Sequence, residues 1–176
     1  MKILVFSDSH GRVLSMYDAM EREEPDAVIH LGDCYEDACD LRRSYPNVVV
    51  YAVRGNNDFE PDAPSFLVIA PEGYPIYAAH GHLERVSWSQ TGNLPARAAE
   101  HGCKLALYGH THRVYDRQEG DVRVVNPGSI SLPRGGSAGY VRLIVQDGKL
   151  ESLEQLDADG APYPKKAFAQ KEFRWF

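Results

Sequence analysis

The chain is poor in the features that mark membranes, secretion and nucleic-acid binding. Its longest apolar runs, such as Val48 to Val53, are far too short to cross a bilayer. The opening MKILVFSDSH lacks the apolar core and cleavage site of a signal peptide, so a cytoplasmic protein with no membrane partner is expected. Cysteine is scarce: Cys34, Cys39 and Cys103 are odd in number and show no CxxC spacing, which argues against a disulfide framework or a thiolate zinc site. Basic charge is short as well. With 19 Lys and Arg against 25 Asp and Glu, the net charge is -6, and no polymeric nucleic acid is expected as a partner.

What is present is a regular alternation of apolar runs and helical periodicities. Lys2 to Ser7 reads as a buried strand, and Val13, Met16, Tyr17 and Met20 follow at helical spacing. Asp26 to Leu31 reads as a second strand, Ala38 to Tyr45 as a weaker helix, and Val48 to Val53 as a third buried strand. This order builds a parallel sheet with right-handed crossovers. The rhythm then changes: Phe66 to Ala70 and Ile76 to Ala79 read as a hairpin. A helix capped by Asn93 and stopped by Gly102 precedes a strand over Leu105 to Tyr108. Val122 to Val125, Tyr140 to Val145 and Leu150 to Leu153 complete a mainly β second half. The 176 residues fit one domain, with an aromatic tail over 161–176.

The polar residues cluster where these strands end. Asp8-Ser9-His10, Gly32-Asp33, Gly55-Asn56-Asn57-Asp58, His80-Gly81-His82 and Gly109-His110-Thr111-His112 each follow an apolar run. Ligands of open α/β sheets bind at the carboxyl ends of the strands. Taken singly, each signature has an ordinary use as a helix cap, a turn or a loop with surface histidines. In extended backbone His110 and His112 would point to one side, which suits a metal or two solvated rings. Five signatures in register favour the metal.

The ordered set DxH, GD, GNxD, HGH and GHTH, with Asn126-Pro127-Gly128-Ser129 after it, resembles the calcineurin-like metallophosphoesterases. The short chain and the GNxD form are most similar to their small bacterial and archaeal phosphodiesterase branch, and the likeness runs from Met1 to about Gly135. It implies an α/β fold: a two-layered mixed β-sheet sandwich flanked by helices, with two metal ions at the strand ends. Carried over by motif, Asp8, His10 and His112 hold one metal, Asn56, His80 and His110 the other, and Asp33 bridges them. The nitrogen and oxygen donor set suits manganese first, or iron, nickel or zinc, better than magnesium. The implied reaction is hydrolysis of a small phosphodiester by a hydroxide shared between the two ions.

Many relatives carry a histidine directly after the Gly-Asn pair, where this chain has Asn57 followed by Asp58. Asp58 and His82 are therefore the candidate catalytic side chains beyond the metal ligands. His30 reads as a hydrogen-bonded core residue, Cys34 as a small buried group, and Arg54 and Arg134, beside the glycine-rich signatures, as surface charges or as contacts for a substrate phosphate. Two other readings share the motifs: a phosphomonoesterase or nucleotide hydrolase on the same dimetal site, and a non-catalytic protein-binding scaffold, since the resemblance also reaches a retromer subunit. The tail holds Tyr163, Phe168, Phe173, Trp175 and Phe176, aromatic surface costly to leave in water, which is expected to pack on its own domain or, the reading favoured here, on a second copy in a homo-oligomer.

Overall fold

The computed structural model describes residues 1–164, within which two five-stranded mixed sheets share a core. One sheet is built from β1 (Lys2–Phe6), β2 (Ala27–His30), β3 (Val49–Ala52), β9 (Gly139–Gln146) and β10 (Lys149–Asp157), in the order β10-β9-β1-β2-β3. The other contains β4 (Phe66–Ile69), β5 (Ile76–Ala79), β6 (Leu105–Leu107), β7 (Val114–Glu119) and β8 (Val122–Pro127), in the order β4-β5-β6-β8-β7. Strands β1, β2 and β3 run parallel, as do β5, β6 and β8, and the remaining strands pair antiparallel at the margins.

The period-2 alternation of the buried strands explains the layering. Ile3, Val5 and Ile29 face Ile76, Ala78, Leu105 and Leu107 between the sheets. Their neighbours Leu4, Phe6 and Val28 turn outward and meet Met16, Ala19 and Met20 of α1 (Leu14–Glu23) and Leu41 of α2 (Tyr35–Ser44). On the opposite side Tyr77, Ala79 and Ala106 pack on Leu94 and Ala98 of α3 (Leu94–Glu100). The result is the two-layered mixed sandwich flanked by helices that the motif resemblance implied. No helix among the described residues is long and apolar enough to cross a membrane.

Three details differ from the sequence reading. Strand β3 is an edge strand, with Val49 47% exposed, because an apolar run does not by itself reveal which strand lacks a neighbour. Strand β7 was not anticipated: VYDRQE carries charge suited to a sheet edge, and the Gly120-Asp121 turn folds it back on β8. Asn93 precedes α3 but makes no side-chain cap. In the tail, Tyr163 is buried on its own domain and donates its hydroxyl hydrogen to the Ser137 carbonyl at 2.7 Å. Phe168, Phe173, Trp175 and Phe176 lie outside the described residues, and so does the expected oligomer contact.

The loops that leave the two sheets touch where the parallel strands end. A methyl group on Gly109 would overlap the Ser7 hydroxyl and stand 2.8 Å from Asp8 Oδ2. Within the first sheet the loops after β2 and β3 are as close: a methyl group on Gly32 would meet the Gly55 backbone, and one on Gly55 would meet Asp33. Substituting Gly109→Ala is expected to cost about 1–3 kcal/mol of stability through overpacking, lowering Tm by roughly 3–10 °C. Thermal unfolding followed by circular dichroism checks this, and an unchanged Tm would contradict the close approach.

Candidate metal centre

The polar signatures emerge from the ends of β1, β2, β3, β5 and β6 in loops with unusual backbone. Asp8, His10, Asp33, Cys34, His110 and His112 all have φ between 50° and 90°. Left-handed backbone disfavours residues with a Cβ by roughly 1–2 kcal/mol each, so six in one region must be held by their surroundings. This corrects the extended geometry expected for His110 and His112. The chain turns at both residues, and their rings separate: His112 lies 5.1 Å from His10, while His110 lies 5.2 Å from His80.

Hydrogen bonds from outside the loops supply the restraint. The Asp8 N–H donates to the Gly32 carbonyl at 3.0 Å, which joins the β1 and β2 loops. The buried Asn126 amide donates to the Gly109 carbonyl at 2.7 Å and to Thr111 Oγ1 at 3.1 Å. Ser129 donates to the Asp8 carbonyl at 2.7 Å, and Ser131 to the Ser9 carbonyl at 2.7 Å. The Asn126-Pro127-Gly128-Ser129 run thus braces two other signatures.

Asp58 is placed beneath the β2 loop. Its Oδ2 accepts N–H groups from Asp33 at 3.0 Å and Gly55 at 2.7 Å, and its Oδ1 accepts those of Cys34 at 2.8 Å and Tyr35 at 2.9 Å. Burial acts to raise its pKa, but these four donors outweigh it and hold the carboxyl below the usual range. The carboxylate ties the β3 loop to the first turn of α2, and all four bonds go to backbone.

Two groups of donor atoms converge above these braces. In the first, His112 donates Nδ1–H to the Leu132 carbonyl at 2.7 Å, which leaves the Nε2 lone pair 3.3 Å from Asp8 Oδ1 and 3.3 Å from His10 Nε2. Asp8 Oδ1 is buried and has no hydrogen-bond partner. Burial acts to raise the Asp8 pKa, yet the positive charge that His112 and His80 carry when protonated brings it below its ordinary value. Against the effect of burial, the Asp8 carboxylate in turn raises the His112 pKa, so in the metal-free protein a proton can take the place of the cation. In the second, His80 donates Nδ1–H to the Leu31 carbonyl at 2.7 Å, and its Nε2 faces Asp33 Oδ1 at 3.3 Å and Asn56 Oδ1 at 3.2 Å. A neutral imidazole in this tautomer has no proton to give these oxygens.

Lone pairs facing lone pairs in a buried space call for a cation, and an orphaned carboxylate oxygen does so too. Asp8, His10, Asp33 and His112 each offer a ligand atom within 4.8 Å of the others. Asp33 stands between the groups: Oδ1 approaches His80 at 3.3 Å, and Oδ2 approaches His10 at 3.7 Å. His110 joins through its ring contact with His80 and through its backbone N–H, which donates to Asp8 Oδ2 at 3.1 Å. Burial and then the neighbouring His80 lower the His110 pKa, which favours the neutral form a metal needs. The residues present fit a divalent transition-metal ion.

His82 lies 5.4 Å from His80 and 6.3 Å from His110, ring to ring, and burial lowers its pKa. Asn57, at the position where many relatives carry histidine, donates its backbone N–H to Asp33 Oδ1 at 3.1 Å and its amide to Oδ2 at 2.7 Å. Burial raises the Cys34 thiol to about 11, so it is an inert protonated group at neutral pH.

In the layer below, His30 is the hydrogen-bonded core residue that the sequence suggests, while its partners Ser9 and Asp37 were not legible there. His30 Nδ1 accepts the Gly32 N–H at 3.3 Å, so its Nε2–H donates to Ser9 Oγ at 3.0 Å, and Ser9 donates to Asp37 Oδ2 at 2.6 Å. Ser9 and His30 are fully buried, so this serine, histidine and aspartate set shapes the Asp8 to His10 loop and has no access to substrate. Burial drives the His30 pKa down to about 4, against the opposing pull of Asp37.

The unfolded chain binds the His30 proton from near pH 6.5 downward, whereas the folded chain binds it only near pH 4. Acid therefore favours the unfolded state across this window, by about 3 kcal/mol from this residue in metal-free protein. Urea unfolding at pH 7, 5.5 and 4 is expected to show a shallower pH slope for His30→Gln than for the parent. Equal slopes would contradict the buried neutral imidazole.

Residues 1–148 match the calcineurin-like phosphoesterase superfamily domain. Probable metallophosphoesterase YsnB of Bacillus subtilis is 34% identical over 137 residues, 76% of this chain and 78% of that one. Phosphodiesterase YfcE of Escherichia coli K12 is 35% identical over 106 residues, 56% of this chain and 53% of that one. A crystal structure of a predicted phosphoesterase from Streptococcus pneumoniae superposes with a TM-score of 0.73 at 34% identity, covering 93% of both chains. The signatures, the sandwich that gathers them and these likenesses agree, and the chain belongs to the calcineurin-like phosphoesterase superfamily.

Proposed function

We propose that this chain is a dinuclear metal-dependent phosphodiesterase acting on small phosphodiesters. The observation that carries the reading is the Asp33 carboxylate, whose two oxygens face separate histidine groups. In this reading Asp8, His10 and His112 hold one ion, Asn56, His80 and His110 hold the other, and Asp33 is shared. When bound, the ions supply Lewis acidity at the phosphoryl group and a hydroxide nucleophile near neutral pH, with manganese the first candidate. Phosphodiesterase YfcE is named for the same reaction, which supports the choice of diester over monoester.

The chain's own groups orient this chemistry. The Leu31 and Leu132 carbonyls fix the tautomers of His80 and His112, so each presents Nε2. Asn57 holds both oxygens of Asp33 in place, and Asp58 fixes the loop that carries it. His82 stands beside the second group with a lowered pKa, and as an uncharged imidazole it is better suited to accept a proton than to donate one to a departing oxygen. With Asn57 in place of histidine, leaving-group protonation is weak.

Across a series of substituted aryl phosphodiesters, the manganese-loaded protein is expected to lose rate steeply as leaving-group basicity rises, and chelation is expected to abolish turnover. Replacing Asp33→Ala should lower kcat/KM by about 100-fold or more. Hydrolysis of monoesters or anhydrides with no turnover of any diester would overturn the phosphodiesterase reading.

A further inference from the structure

An open pocket of about 310 Å³ borders the metal centre at His10 and Asn57 and is lined also by Tyr35, Glu36, Phe59 and Glu60. Its volume is at the small end of ligand sites, room for a compact substituent rather than a nucleoside. Phe59 lies in the loop between β3 and β4, directly after Asp58, and is 90% exposed. Its ring has no aromatic or cationic neighbour among the described residues. Tyr35 differs, because the Arg42 guanidinium already lies over it, 5.5 Å from the ring centroid.

No lysine or arginine lines the pocket, and its carboxylates are unevenly compensated. Glu36 shares Arg43 with Asp40. Asp58, which also lines the pocket, is met by four backbone N–H groups and by no cation. Glu60 has neither an ion-pair partner nor a side-chain hydrogen bond among the described residues, and its Oε2 is shut off from solvent as well. A carboxylate left in this way favours a cation beside it. An anionic arm would be repelled here, and an uncharged arm would leave the charge unanswered. The face of a phenyl ring carries the negative lobe of its quadrupole, so Phe59 and Glu60 offer complementary contacts to an ammonium group. With metal ions alongside to receive a phosphoryl anion, the pair suits a ligand of opposite charges at its two ends.

We propose that Phe59 and Glu60 form the subsite for one arm of the substrate, a short arm that ends in an ammonium group. The ammonium rests against the Phe59 ring and pairs with the Glu60 carboxylate, and the scissile phosphoryl group lies at the metal centre next to His10. The substrate class is therefore a zwitterionic phosphodiester with an alkylammonium arm, in preference to one that carries a second phosphate or a plain alkyl group. This assignment rests on the phosphodiesterase reading above and deepens it.

p-Nitrophenyl phosphorylcholine and 3,3-dimethylbutyl p-nitrophenyl phosphate have the same shape and differ in the charge of one arm, so the pair isolates the ammonium. The full-length, manganese-loaded protein is expected to show kcat/KM about tenfold higher for the choline ester. That ratio should fall about threefold or more in Phe59→Ala and in Glu60→Gln, and should be kept in Phe59→Tyr, which retains the ring. Isothermal titration of the same protein with phosphocholine, against 3,3-dimethylbutyl phosphate, reads the subsite without turnover, and phosphocholine is expected to bind about tenfold more tightly. Equal kcat/KM for the two esters, a ratio unchanged in both Phe59→Ala and Glu60→Gln, or equal affinity for the two phosphates would each overturn the subsite. Absence of turnover on every diester would instead count against the phosphodiesterase reading, and the titration would still decide the subsite.

Discussion

The structure turns on a set of lone pairs that face one another without hydrogens between them. His80 Nε2 looks at Asp33 and Asn56, His112 Nε2 looks at Asp8, and Asp8 Oδ1 has no partner at all. Left alone, such a set repels itself and is better served by water than by a protein interior. The fold holds it regardless, and a cation is what turns the repulsion into binding. The sheet edge is arranged to keep these atoms in place before a cation arrives.

That arrangement is layered. The sandwich core brings six parallel strands to one edge, the glycines at 32, 55 and 109 let the loops touch, and buried polar side chains then lock the loops. Asp58 secures the Asp33 loop, Asn126 the Gly109 to Thr111 turn, Ser129 and Ser131 the Asp8 loop, and His30 with Asp37 the serine beside it. These groups replace the water that the loops would otherwise need, and the six left-handed residues persist because of them. Preorganisation of this kind spares the binding of metal or substrate the entropy of ordering the loops.

Much of this was legible in the sequence because the signatures sit at strand ends, and apolar alternation marks strands well. The strands, their helices and the gathering of polar signatures at one sheet edge follow from that pattern, whereas the sandwich and the grouping of Asp8, His10, Asp33 and His112 were what the motif resemblance implied. Other features were not legible for physical reasons. Whether β3 had a neighbour depends on pairing far along the chain, and the charged β7 imitates a loop. The motif resemblance assigned His110 and His112 to different ions, but the left-handed backbone that parts them is something no two-residue spacing shows. The duties of Asn57, Asp58, Asn126 and Ser129 depend on which backbone groups come within reach after folding.

The sharing of Asp33 between two cations is the central claim, and anomalous X-ray diffraction from crystals grown with manganese tests it most directly. The account predicts two anomalous peaks flanking the Asp33 carboxylate, one among Asp8, His10 and His112 and the other among Asn56, His80 and His110. A single peak, or two peaks that leave Asp33 outside either ion's ligands, would contradict it.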